Sequence, residues 1–187
     1  MPTETERGQG RGVMHQLQRP VDASGLCAFR VMFGLLMVVS TIRFAAMGWI
    51  DSLYVEPAFH FTYLGFDWVK PWPSWGMHLH FTVVGLSALG FALGVYTRLC
   101  AGVFFLAFTY VELLEKAAYL NHYYLVSLLA LLFVCVPTSQ RWAFSRRDTE
   151  AAARVPRLSY VVFQVQVAVV YGFAALWKLS PDWLESA

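Results

Sequence analysis

The run Val169-Val170-Tyr171-Gly172-Phe173-Ala174-Ala175-Leu176-Trp177-Lys178-Leu179-Ser180-Pro181-Asp182-Trp183 decides the class of fold. A long apolar stretch carries one amine near its far end and then stops at a Ser-Pro turn. A charge in or near hydrocarbon costs roughly 2.5–3.5 kcal/mol even on insertion scales, so Lys178 asks for a reason. The rest of the chain has the same character. Its 187 residues are 58% hydrophobic and 17% aromatic, with only 14% charged, whereas an ordinary soluble domain is about one-quarter charged. The apolar stretches are continuous rather than alternating, which predicts an all-α integral membrane protein, a polytopic bundle of transmembrane helices. A net charge of +2 is too small to imply nucleic acid and bears on membrane orientation instead.

A spanning helix needs about 20 apolar residues, and five segments qualify: 23–42, 75–95, 99–118, 117–136 and 160–179. The overlap of the third and fourth predicts a tight connection near 117–121. Residues 1–22 are polar, rich in Gly and Arg, and read as a disordered leader ahead of a membrane domain over 23–187. They lack the apolar core of a cleavable signal peptide, so the first span is expected to act as its own insertion signal. Arg7, Arg11, Arg19, Arg98, Arg141, Arg146, Arg147, Arg154 and Arg157 fall on one side, against Lys70, Lys116 and Lys178 on the other. The positive-inside rule makes the N-terminus cytoplasmic and turns Lys178 and the loop over 51–74 outward. That loop carries Tyr54, Phe59, Phe61, Tyr63, Phe66, Trp68 and Trp72 among Pro57, Pro71 and Pro73. It reads either as an interfacial belt or as a lid over an outward-facing pocket.

Depth gathers the polar residues. Counting back from Pro137 at about 1.5 Å per residue places Asn121 and His122 roughly one turn inside the outer boundary. Lys178 reaches a similar depth on the fifth span, with Glu112, Glu115 and Lys116 at the outer end of the third and Arg43 at that of the first. Arg30 alone breaks the pattern, some two turns from the inner surface. Each residue also has a plain reading. Lys178 serves as a snorkelling anchor that gains from the helix dipole, His122 as a hydrogen-bonded interfacial residue, and Glu112 with Lys116 as an i,i+4 pair. Gly90 and Gly94 form a GxxxG that lets a second backbone approach. Cys27, Cys100 and Cys135 have no CxxC spacing and read as small helix residues. His78-Leu79-His80 has no matching ligand set, so no metal is expected. No phosphate loop, nucleophile elbow or HExxH occurs.

Several of these residues resemble one family, the vitamin K-dependent gamma-glutamyl carboxylases and the related horizontally transferred transmembrane (HTTM) domain proteins. Leu26-Cys27-Ala28-Phe29-Arg30-Val31-Met32-Phe33-Gly34 is similar to the family's opening LxxFRxxFG helix. Phe66-Asp67-Trp68 with Pro71 and Pro73 resembles its first outer loop, and Leu89-Gly90-Phe91-Ala92-Leu93-Gly94 its glycine-rich second span. Glu115-Lys116, Asn121-His122 and Tyr124-Leu125 resemble its acidic-Lys, Asn-His and Tyr-Leu series. Gln166, Tyr171, Lys178-Leu179, Asp182-Trp183 and Glu185 fall on the stretch that holds its catalytic lysine, which Lys178 matches.

The resemblance implies a membrane enzyme that uses reduced vitamin K or another naphthohydroquinone, O2 and CO2 to carboxylate a glutamate of a protein or peptide substrate, releasing the quinone epoxide. In it Lys178 is the general base toward the hydroquinone, and Asn121, His122 and Tyr171 are cofactor-binding. The bacterial members imply a bacterial cell membrane, with the site on the extracytoplasmic side. Two departures keep other readings open. Family members continue beyond the Lys-Leu stretch, and the carboxylases add a large β-rich domain, so the chain reads as a fragment or as a minimal member. Glu112 stands where the carboxylases are commonly apolar, and its charge could hold Lys178 protonated. The alternatives are a non-catalytic HTTM module assisting export or maturation of a secreted peptide, and a quinone-binding redox subunit.

Overall fold

The computed structural model describes residues 14–118, 120–138, 142–144 and 154–178. They form two compact units, one over residues 22–153 and the other built from residues 1–21 and 154–187. The larger unit holds four helices, α1 (Ser24–Ala46), α2 (Ser74–Leu93), α3 (Thr97–Leu114) and α4 (Asn121–Cys135), each packed on the next. In the smaller unit β1 (Pro20–Asp22) pairs with β2 (Arg154–Pro156), and α5 (Leu158–Trp177) follows. Of the expected leader, residues 1–13 lie outside the described residues, whereas Pro20–Asp22 is a strand.

Four helices, α1, α2, α3 and α5, are long and apolar enough to cross a membrane. Helix α4 is apolar but has only 15 residues, about 22 Å at 1.5 Å per residue against a core of ~30 Å. The fourth span therefore starts later than the expected 117: Lys116–Ala118 is a 3-10 turn and Leu120 is extended before α4 begins. Its far end follows the sequence, because Val136 is extended, as a residue preceding a proline prefers.

Small residues set the helix spacing. A side chain on Gly34 would meet the Ala92 Cβ at 2.7 Å, so α1 and α2 touch backbone to backbone there. One on Gly90 would meet the Cys100 Sγ at 2.8 Å. Around these contacts Phe33 is a hub, its ring 6.1 Å from Phe91, 6.0 Å from Phe104 and 5.4 Å from Phe133. Without a hydrophobic drive between helices in lipid, such close packing is what holds spans together. The cysteines differ in setting: Cys27 is buried, Cys100 half-buried and Cys135 exposed.

Arg30 is fully buried. Its Nη1 donates to the Thr138 carbonyl at 3.0 Å and its Nη2 to that of Trp142, while the Cys27 thiol also reaches the Thr138 carbonyl. The guanidinium thus fastens the chain beyond Pro137 to α1 and satisfies carbonyls that apolar surroundings would leave unpaired. Gly94 ends α2 with φ +76, and a side chain there would meet Ala143 at 2.5 Å and Arg30 Nη1 at 2.9 Å. Glycine is needed at that position for its conformation and for the close approach alike.

Candidate functional site

At the opposite end of the four-helix unit, the chain leaving α1 makes a single π-helical turn, Asp51–Val55. This turn, the end of α1 and the start of α4 enclose a groove of about 450 Å³. Phe44, Trp49, Leu53, Tyr54, Leu120 and Tyr123 form much of its wall. Phe44 stacks on Phe81 at 5.1 Å, and Tyr54 lies 5.9 Å from the same ring, so the back wall is anchored on α2. Arg43 sits over the Trp49 ring at 5.3 Å, within the ~6 Å reach of a cation–π contact. Burial, and secondarily the Glu112 charge, holds the Tyr54 hydroxyl well above the usual phenol range, so it stays protonated as a donor.

Behind Phe44, Tyr54 and Tyr123 lies a second, smaller space of about 40 Å³, lined also by Glu112. Glu112 is half-buried, and the ion pairs among the described residues, His60–Glu115 and His78–Asp51, do not include it. The i,i+4 pairing open to Glu112 and Lys116 does not form because α3 stops at Leu114. Lys116, in the following 3-10 turn, lies instead over the Tyr63 ring at 6.0 Å.

Glu115 fastens the aromatic loop. Its carboxylate lies 3.2 Å from His60 Nδ1 and accepts from the backbone N–H groups of Phe61 and Ala117, while the Lys116 N–H donates to the Phe61 carbonyl at 2.7 Å. Its place in the family-like series thus has a structural use here. Replacing Glu115 by alanine removes the acceptor of these exposed N–H groups, at a net cost of about 0.5–1.5 kcal/mol per hydrogen bond. Amide exchange at Phe61 and Ala117 is expected to accelerate in that variant; unchanged exchange at both would contradict the role.

Asn121 and His122 occupy the first turn of α4, exposed, between the groove-lining Leu120 and Tyr123. The His122 ring meets that of Tyr123 edge-on at 4.5 Å. Together with Arg43, Glu112, Glu115 and Lys116 they stand at one end of this unit, as depth counting predicts. Tyr171 and Lys178 belong to the smaller unit. Seven residues apart, they share a face of α5, since seven residues are about two helical turns. Both are exposed, and Lys178 caps the helix with its N–H on the Ala174 carbonyl at 3.3 Å.

The histidines of the HxH part company. His78 Nε2 lies 3.4 Å from Asp51 Oδ2, whereas His80 Nε2 meets the Ala107 carbonyl at 2.9 Å. Among the described residues no group of three His, Cys, Asp or Glu side chains is placed to hold a metal. Sequence reasoning named Tyr54 among the aromatics of the outer loop but missed the groove walls Phe44 and Trp49. The aromatic density just after the first span was their only signal, because a π-helical turn leaves no periodicity of its own.

No solved structure matches the chain. The HTTM domain family model matches residues 18–187, a span that includes Arg30, the groove residues, Asn121, His122, Tyr171 and Lys178. The chain belongs to the HTTM domain family.

Proposed function

We propose that this protein is a carboxylase-like membrane enzyme that binds a reduced naphthoquinone and, with O2 and CO2, carboxylates glutamate in a protein or peptide substrate. The observation that carries this reading is the setting of Asn121 and His122, flanked in sequence by two residues that line an aromatic-walled groove. Its volume of about 450 Å³ falls in the range of small-molecule sites, about 300–1,000 Å³. Flat apolar walls with few polar groups fit a bicyclic ring. A bound reduced naphthoquinone would supply the reducing equivalents and an acidic hydroxyl. Asn121 brings an amide that both donates and accepts, and the His122 imidazole orients against Tyr123. Lys178 is the general base, its amine taking the proton of the hydroquinone hydroxyl. Tyr171, on the same face of α5, contributes a hydroxyl to the cofactor. The Lys/Arg bias supports an extracytoplasmic orientation for this chemistry, and the resemblance to bacterial members supports a bacterial membrane.

Menadione tests the groove directly. Saturable quenching of tryptophan fluorescence is expected, reduced in Trp49→Phe and weakened about tenfold in His122→Leu, a loss of about 1.4 kcal/mol. Quenching that rises linearly with menadione and is the same in both variants would count against a quinone site. Glu112, a half-buried carboxylate where the carboxylases are commonly apolar, favours a second reading, a non-catalytic module assisting export or maturation of a secreted peptide.

A further inference from the structure

A groove of about 360 Å³, separate from the quinone site, runs between α1 and α2. Val38, Ile42, Phe81, Gly85, Leu86 and Leu89 line most of it. Gly85 opens its floor: an added Cβ would stop 3.5 Å from the Thr41 methyl, an ordinary contact, so a larger side chain would fill the groove and a methyl would not. From His78 to Leu89 the groove follows α2 over a rise of eleven residues. At about 1.5 Å per residue this is ~16 Å, half of a ~30 Å hydrocarbon core. Its length is that of one leaflet.

The mouth is polar. Asp51 Oδ2 lies 3.4 Å from His78 Nε2, the Ser74 hydroxyl donates to Asp51 Oδ1 at 3.3 Å, and His78 Nδ1 faces the Ser74 carbonyl at 2.9 Å. About half of each side chain is exposed, 42% for Asp51 and 49% for His78. The half-exposed Asp51 carboxylate attracts an ammonium and repels an anionic headgroup, which favours a zwitterionic phosphoethanolamine. The apolar trench ends at His78, beside Asp51.

We infer that this groove is a specific phospholipid site, taking one acyl chain of a lipid from that leaflet with the ammonium of its phosphoethanolamine headgroup on Asp51. The site rests on neither the quinone groove nor Lys178.

The purified full chain in detergent, mixed with equal amounts of phosphatidylethanolamine and phosphatidylglycerol and analysed by native mass spectrometry, tests this. One phosphatidylethanolamine is expected to be retained, favoured about tenfold over phosphatidylglycerol. Gly85→Ala should keep it and Gly85→Leu should lose it, while Asp51→Asn should still hold a lipid without the headgroup preference. Equal retention of both lipids in wild type and in Gly85→Leu would mean annular lipid only. A lipid-free dimer would mean that a second copy covers the groove. Either result overturns the inference.

Discussion

Replacing Arg30 with leucine is expected to destabilise the four-helix unit by about 3–6 kcal/mol, from two hydrogen bonds to a charged donor at roughly 1.5–3 kcal/mol each. Leucine fits the apolar surroundings but leaves the carbonyls of Thr138 and Trp142 without the guanidinium that now satisfies them. The segment after Pro137 then loses its tie to α1, and with it the wall behind Gly94. Cys27 is a built-in reporter, being buried and donating to the same Thr138 carbonyl. With Cys100 and Cys135 changed to serine, maleimide labelling of Cys27 on heating should begin well below the wild-type temperature in Arg30→Leu. An unchanged labelling midpoint would show that the buried guanidinium is dispensable.

The second large effect concerns Lys178. In a full-length context Lys178→Ala is expected to lower quinol-dependent turnover by about 10²–10⁴-fold, the usual contribution of a positioned acid or base. Insertion into the membrane should remain intact. Lys178→Arg separates the two readings of this residue. Arginine keeps the charge, the helix-end position and the ability to snorkel, but it does not lose its proton in proteins. If Lys178 is an anchor, the arginine variant works; if it is a base, the variant is as inactive as alanine. Full turnover in either variant would remove Lys178 from the chemistry.

The contrast between these two residues shows what the sequence makes legible. Helix positions follow from apolar run length, and α1, α2, α3 and α5 begin within two residues of the expected starts at 23, 75, 99 and 160. Pro137 marks the end of α4 because a proline constrains the residue before it. Arg30 reads from sequence only as an anomaly, since its partners are backbone carbonyls more than a hundred positions away and carbonyls carry no residue signature. Lys116 is misread as the partner of Glu112 because i,i+4 spacing has meaning only while the helix continues, and α3 has ended at Leu114. Asn121 and His122 can be placed at their end of the bundle by counting, but the groove beside them cannot. Phe44, Tyr54 and Tyr123 meet only through the π-helical turn and the packing of three separate elements.

The most direct test of the central claim supplies the protein, reconstituted in liposomes, with a reduced naphthoquinone, oxygen, bicarbonate and a glutamate-containing peptide, and measures quinone epoxide. The carboxylase-like account expects saturable epoxide formation that is lost in Lys178→Arg. Saturable binding with oxidation to the quinone alone would instead identify a redox subunit, and absence of saturable binding a non-catalytic module; either result would contradict the account.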